Sequence, residues 1–241
     1  MMSYIYHIGL TPPSKSIIIQ DYTISYYPVL SVEYAHCNAP QDLSDILYSN
    51  PVILMMSKNA VIGLEKWLHH YNLDATYFQN YTFWTIGDRT HAYLQKNLDI
   101  ASVYPEDMTG SGIIEKLHVE NISRILLIAG QKPRDEFVEG LLQADITFFH
   151  FPVYEVQVKE NADFSANFIN NSSNYIIITS PSSVRGILHS LSIVDLSHLQ
   201  AQIISIGPTT SKAIRDNGGT VFYESTVQNI KTLYKNLENI L

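Results

Sequence analysis

The chain contains two similar halves offset by about 120 residues, and this repeat limits the available folds more than any other feature. An apolar run ends at Ser57 and a second ends at Ser180, with a valine four positions later in both copies. Farther along, the step Ile-Gly-x-x-Thr occurs at Gly87 and again at Gly207. Repeats of this length predict two homologous domains within the 241 residues.

Both copies share a local pattern of strand, turn and helix. A short run of apolar, often β-branched residues is typical of a strand buried on both faces of a parallel sheet. A hydroxyl or glycine step follows, and then a helix with apolar residues three and four positions apart, as in Val61, Leu64 and Leu68. The alternation predicts an α/β fold in which each domain is a doubly wound parallel sheet with helices on both faces.

Two extended segments indicate that the chain passes between the domains twice. Residues 146–156 are too long for one core strand, and Pro152 within them cannot donate to a sheet ladder, so we expect their second half to be a connection. A second connection follows Pro28. The predicted boundaries are an inserted domain over residues 36–150, a discontinuous terminal domain over 1–30 and 157–241, and linkers over about 28–35 and 150–156.

The N-terminal residues 9–27 differ from a normal α/β unit. Pro12-Pro13 is followed by isoleucines and then by Tyr22-Thr-Ile-Ser-Tyr26-Tyr27, a composition typical of extended chain. We expect the first crossover helix of the terminal domain to be missing or remodelled.

Composition excludes several classes of function. Lys and Arg total 15 against 23 Asp and Glu, and the basic residues are scattered, so we expect no nucleic acid partner. The single cysteine, Cys37, allows no internal disulfide. We expect no structural metal, because the histidines lack zinc-ligand spacing, and no nucleotide site, because Gly110-Ser-Gly112 lacks the third glycine of a dinucleotide fingerprint. Apolar runs are too short to span a membrane, and no secretory signal follows Met1. We expect a soluble, cytoplasmic protein.

Three segments resemble the motifs of one known family. They are Ser180-Pro181-Ser182-Ser183-Val184, Ile206-Gly207-Pro208-Thr209-Thr210 and the pair Val153-Tyr154. In this order, with a weaker copy upstream, they resemble uroporphyrinogen-III synthases from Pro28 onward. The chain departs from the family at Met56-Ser57-Lys58-Asn59, where Thr-Ser-Pro-Arg is frequent.

The resemblance implies two flavodoxin-like domains joined by a two-stranded linker, with the substrate in the cleft between them. It implies a monomeric lyase of haem biosynthesis that works without a cofactor. Such an enzyme cyclises hydroxymethylbilane to uroporphyrinogen III, with loss of water and inversion of the last pyrrole ring. A transient hand-over of substrate from hydroxymethylbilane synthase is left open.

Candidate site residues follow from the turns at the carboxyl ends of the strands, where helix N-termini favour anions such as the carboxylates of this substrate. The predicted substrate-binding residues are Ser57, Lys58, Thr90, Ser180, Ser182, Thr209 and Thr210. For Tyr154 the hypothesis is a weak general acid that hydrogen-bonds the departing hydroxyl.

Each assignment has a structural alternative. The hydroxyls of Thr90 and Thr210 are equally consistent with helix caps, the charge of Lys58 with a solvated surface, and Tyr154 with a ring packed between domains. For the whole chain, the alternative is a non-catalytic, two-lobed, synthase-like binding protein.

Overall fold

The computed structural model describes residues 3–10, 12, 18–34, 42–169 and 174–241. Cys37 and Pro13 lie outside the described residues. The chain divides into two compact units: the terminal unit, Met1–Ser31 with Gln157–Leu241, and the inserted unit, Val32–Val156.

The elements follow one another in a regular α/β alternation after an N-terminal group of strands. The first four strands are β1 (Ser3–Gly9), β2 (Ile18–Ile19), β3 (Tyr22–Pro28) and β4 (Leu30–Glu33). Then come α1 (Leu43–Tyr48), β5 (Val52–Met55), α2 (Lys58–His70), a 3₁₀ turn (Ala75–Phe78), β6 (Phe83–Thr85), α3 (Asp88–Leu98), β7 (Ser102–Val103), α4 (Gly110–Val119), β8 (Arg124–Gly130), α5 (Asp135–Gln143) and β9 (Thr147–Val158). The chain ends with α6 (Ala162–Ile169), β10 (Asn174–Ile178), α7 (Pro181–Leu191), β11 (Ala201–Ser205), α8 (Pro208–Asp216), β12 (Val221–Glu224) and α9 (Ile230–Leu237).

The inserted sheet has the order β4-β9-β8-β5-β6-β7. The strand pairs from β9 to β7 are parallel. Alternate residues of a strand point to opposite faces, and β5 obeys this rule: Ile53 and Met55 join a cluster with Leu64 of α2, whereas Leu54 joins a cluster with Ile113 of α4. The sheet therefore has a hydrophobic core on each face.

The terminal sheet has the order β12-β11-β10-β1-β3-β2. It is parallel except for β2, which pairs antiparallel with β3. One of its cores joins Ile5, Ile177 and Ile204 of three adjacent strands to Leu233 and Leu237 of α9. The predicted α/β class with parallel-dominated sheets is confirmed.

The N-terminal strands agree with the extended chain predicted for residues 22–27. β1 and β3 are parallel neighbours, and in the described residues between them the chain forms β2 and no helix. A parallel pair usually needs a crossover helix.

The interpretation of residues 146–156 as an interrupted strand is wrong. β9 runs without a break for 12 residues and includes Pro152. Its register with β8 shifts between Ala129 and Gly130, where Ala129 faces Pro152 but Gly130 faces Tyr154. The strand tolerates the proline because the ladder is already irregular at this bulge.

Within the described residues, no helix is long and apolar enough to cross a membrane.

Candidate functional site

Ser57 follows the central strand β5 and is the N-cap of helix α2. Its backbone is extended, with φ −163° and ψ 159°, and its Oγ accepts a hydrogen bond from the Ala60 amide at 3.2 Å. This is the N-cap geometry that serine favours, because the side chain satisfies an amide that the first helical turn leaves unpaired. The cap fixes the hydroxyl at the carboxyl end of the sheet.

Tyr154 lies in contact with Ser57. The Tyr154 Oη and the Ser57 Oγ are 3.2 Å apart, and either group can be the donor. The phenol ring rests against Gly130 at the end of β8, where a Cβ on residue 130 would lie 2.9 Å from ring atoms Cε2 and Cζ. Two residues that the sequence nominated separately thus form one hydroxyl pair.

The pair lies at the topological switch point of the inserted sheet. From β5, the strands β6 and β7 are added successively toward one edge of the sheet, whereas β8 and β9 are added toward the opposite edge. The strands β5 and β8, from which the two series start, are therefore neighbours. Their carboxyl ends carry Ser57 and Gly130. In open α/β sheets, ligands bind at such a crevice, because the two following connections diverge.

Two further side chains near the pair were missed by sequence reasoning. The hydroxyl of Tyr34, directly after β4, donates to the Asn59 Oδ1 at 3.0 Å, and the Tyr34 ring centroid is 6.5 Å from that of Tyr154. Burial raises the pKa of the Tyr34 phenol, with smaller contributions from Tyr93 and Tyr154. Tyr34 is far from the others in sequence and belongs to none of the recognised motifs, so no signal marked it.

His150 is the second side chain that sequence reasoning missed. Its Nε2 donates to the carbonyl oxygen of Gly130 at 3.0 Å. Burial lowers the pKa of this imidazole, and the hydrogen bond to Gly130 partly offsets the effect. Its position on the strand that carries Tyr154 was the available clue.

Lys58 follows the cap and has an exposed side chain. Its Nζ lies 4.5 Å from the ring centroid of Tyr93, within the range of a cation–π interaction. The ammonium group is held close to the start of α2 without being buried there.

Thr90 and Thr210 do not cap their helices. The N-cap positions of α3 and α8 are Gly87 and Gly207, with no side-chain cap bond. Both threonines are buried in the first turn, 5% and 3% exposed, and the cap interpretation is wrong because each helix begins before its threonine. Thr209, beside Thr210, is half-buried.

Buried hydroxyls at the ends of β6 and β11 hydrogen-bond the backbone of the glycine turns at Gly87 and Gly207. The Thr85 Oγ1 donates to the Gly87 carbonyl at 3.3 Å, and the Ser205 Oγ donates to the Gly207 carbonyl at 2.9 Å. The two copies therefore share this buried support.

The terminal unit repeats the cap of the inserted unit. Ser180 has φ −165° and ψ 159°, and its Oγ accepts from the Ser183 amide at 3.1 Å. Ser182 is half-buried, and its Oγ accepts from the Arg185 Nη2 at 3.3 Å. The structure thus groups Ser57, Lys58 and Tyr154 in the inserted unit and Ser180 and Ser182 in the terminal unit.

Among the described residues, no group of three or more histidine, cysteine, aspartate or glutamate side chains could hold a metal ion. His69 and His70 lie in the last turn of α2.

Comparison with known proteins decides the family. A family model described as uroporphyrinogen-III synthase HemD matches residues 18–235, most of the chain. The chain belongs to the uroporphyrinogen-III synthase family. The recognition from the segments around Ser180, Gly207 and Tyr154 is thereby confirmed.

Individual relatives agree with membership of the uroporphyrinogen-III synthase family. The porphyrin biosynthesis protein HemD of Ruminiclostridium josui is 28% identical over 169 residues, which cover 68% of this chain and 33% of that protein. The chain thus spans about a third of the length of this curated relative.

Solved structures share the fold. A uroporphyrinogen-III synthetase from Helicobacter pylori has a TM-score of 0.70 at 18% identity, with all of both chains covered. A mutant uroporphyrinogen III synthase from Thermus thermophilus has a TM-score of 0.58 at 12% identity, covering 99% of this chain and 98% of that one.

Proposed function

We propose that this chain is a uroporphyrinogen-III synthase, a hydro-lyase of haem biosynthesis that converts hydroxymethylbilane into uroporphyrinogen III. Family membership supports the proposal, and the observation that carries it is the hydroxyl pair of Ser57 and Tyr154 at 3.2 Å beside the strand switch point. The pair offers a weak proton donor at the place where an α/β sheet binds ligands.

The reaction requires little acid strength. The pyrrole nitrogen of the bilane expels the terminal hydroxyl, which takes the Tyr154 proton and leaves as water, giving an electrophilic azafulvene. Attack by the substituted carbon of the last ring forms a spiro intermediate, which fragments and recloses with that ring inverted. The closing macrocycle releases a proton, which restores the phenol. Ser57 holds the Tyr154 hydroxyl in place during these steps.

Orientation is the larger contribution of the protein. The free bilane can close through its unsubstituted carbon to give the type I isomer, so the enzyme must hold the chain in the less accessible geometry. Holding reactants correctly can supply about 7–11 kcal/mol of a barrier. Exclusion of water would further protect the azafulvene.

The substrate carries eight carboxylates, whereas the chain has a net charge of −8. Local fields resolve this mismatch, because helix N-termini present unpaired amides and partial positive charge to anions. We assign this task to Ser57 and Lys58 in the inserted unit and to Ser180, Ser182 and Thr209 in the terminal unit. Thr90 and Thr210 are weaker candidates than the sequence indicated, because their side chains are buried.

The test is isomer analysis. The chain is added to hydroxymethylbilane freshly made by a deaminase, and the type I and type III products are separated. We expect type III product. Only type I product, formed at the uncatalysed rate, would support the alternative of a non-catalytic, synthase-like binding protein. Light scattering during size exclusion checks the proposed monomer.

Tyr154→Phe tests the acid. We expect turnover to fall several-fold with an unchanged isomer ratio, because removing one hydrogen bond to the leaving group weakens the acid assistance and leaves the binding geometry intact. Tyr71→Phe, on an exposed tyrosine beyond α2, is the matched control. Unchanged kinetics in Tyr154→Phe would remove the acid role.

A further inference from the structure

The direction of the Tyr154 side chain departs from the normal alternation of a strand. Successive side chains on a strand point to opposite faces. Val153 and Tyr154 are consecutive, yet both pack against the cluster on the α2 face of the sheet. The register shift between β8 and β9 falls at this position, since Ala129 faces Pro152 and Gly130 faces Tyr154. The bulge therefore turns Tyr154 toward Ser57, as bulges commonly redirect side chains beside active sites.

Gly130 makes room for the redirected ring. A Cβ at this position would lie 2.9 Å from Cε2 and Cζ of Tyr154 and 3.3 Å from its Oη. Carbon atoms prefer about 3.5–4.0 Å, so any side chain at residue 130 would displace the phenol by roughly half an ångström or more. Glycine is required here for space, since its backbone is not in the left-handed region.

The Gly130 peptide is held from two sides. Its carbonyl accepts from the His150 Nε2 at 3.0 Å, and the following amide, of Gln131, donates to the Tyr154 carbonyl at 2.8 Å. Both bonds tie the end of β8 to β9, so the surface under the ring and the backbone of Tyr154 form one rigid unit. Gly130 is buried and His150 is half-buried.

We propose that Gly130 and His150 are positioning residues that set the direction of the Tyr154 hydroxyl toward Ser57. The expected effect on kcat rests on the proposed function. The position of the Tyr154 phenol does not depend on that function. Neither residue needs to touch the substrate. Gly130 leaves space for the Tyr154 ring, and His150 holds the Gly130 carbonyl and so fixes the backbone against which that ring packs.

Gly130→Ala tests the proposal through a double-mutant cycle. We expect kcat to fall several-fold, by no more than in Tyr154→Phe, with KM changed less than about two-fold, because displacement of a catalytic group by a fraction of an ångström acts on the transition state. In the Tyr154→Phe background, which lacks the hydroxyl, the same substitution should lower kcat less than about two-fold. An equal loss in both backgrounds would overturn the proposal.

A spectroscopic measurement follows the phenol without any activity. With 3-fluorotyrosine placed at position 154 alone, the ¹⁹F resonance should move in Gly130→Ala and stay in place in Gly140→Ala. Gly140 is a matched control on α5, where a Cβ would meet the Ile114 side chain, 2.5 Å from its terminal Cδ1 methyl group. An unmoved resonance in Gly130→Ala would contradict the positioning role.

His150→Phe provides a second route if Gly130→Ala does not fold. Loss of the bond to the Gly130 carbonyl should lower kcat about three-fold, and this loss should vanish in the Tyr154→Phe background. A loss that persists there would show that His150 does not act through Tyr154. If the unaltered protein makes no type III product, the proposed function fails, and the fluorine resonance still decides the positioning role.

Discussion

His7 lies in the terminal sheet with only 2% of its surface exposed, and the Tyr234 hydroxyl is 2.6 Å from its Nδ1. Tyr26 packs edge-on against the same imidazole at 5.3 Å between ring centroids. Burial lowers the pKa of His7 from 6.5 to about 4. Burial also raises the pKa of Tyr234, so the phenol and the imidazole are both uncharged near neutral pH.

This histidine should make the protein sensitive to mild acid. The folded pKa is below the unfolded value, so as the pH falls from 6.5 toward 4 the unfolded chain binds a proton before the folded one does. The free energy of unfolding should therefore fall by up to about 3 kcal/mol across this window. Urea unfolding at a series of pH values measures the effect.

The matched variants of this experiment separate His7 from other titrating groups. The double variant His7→Phe with Tyr234→Phe should lose this part of the pH dependence, whereas Tyr234→Phe alone, which retains the buried imidazole, should keep it. An unchanged slope in the double variant would assign the acid sensitivity to other residues.

At the scale of elements, the repeated strand, cap and helix is the basic unit of the fold. Ser57 and Ser180 have nearly the same backbone angles, and each accepts from the amide three residues later. Gly87 and Gly207 begin the next helices in both units. The repeat in sequence is thus a repeat of local structure, including the chemistry that begins each helix.

The caps should contribute similar free energies. Ser180→Ala should lower the free energy of unfolding by about 1 kcal/mol, because an amide of α7 loses its partner, and Ser180→Asp should retain most of the stability. Chemical denaturation measures both variants. Ser57→Ala should show a comparable loss together with lower turnover, since Ser57 also contacts Tyr154. Equal stability of Ser180→Ala and Ser180→Asp would contradict the capping role.

At the scale of the whole molecule, each unit has hydrophobic cores of its own. Leu126 is fully buried in the inserted unit and Ile177 is fully buried in the terminal unit. The terminal unit is assembled from both ends of the chain, because β1 pairs with β10.

Because the two units have separate cores, a cavity in one core should lower the protection of backbone amides from hydrogen exchange mainly in that unit. Leu126→Ala and Ile177→Ala should each cost about 2–5 kcal/mol through the cavity that they leave. Native-state hydrogen exchange should then accelerate mainly in residues 42–156 for Leu126→Ala and mainly in residues 3–10, 18–31, 157–169 and 174–241 for Ile177→Ala. Uniform acceleration through both units would indicate a single cooperative unit.

Much of the fold and part of the site could be predicted before any coordinates. The apolar runs before Ser57 and Ser180 predicted strands β5 and β10, and the helical spacing after Ser57 predicted α2, because these patterns reflect burial over a few neighbouring residues. The sequence motifs predicted Ser57 and Tyr154 as site residues, each from a different motif. They did not predict Tyr34 or His150. Their roles depend on strands that meet only in the folded sheet.

The sequence by itself determined the α/β class, the duplicated strand and helix N-cap, and the family. Each of these features is encoded by a few residues that are close together in the chain. Only the tertiary structure decided that β9 continues through Pro152, that a bulge turns Tyr154 onto Gly130, and that Thr90 is buried within its helix. Strand register is the physical reason. A shift of one residue between β8 and β9 reverses the face on which a side chain lies, and the side chains and turns of both strands fix that register together.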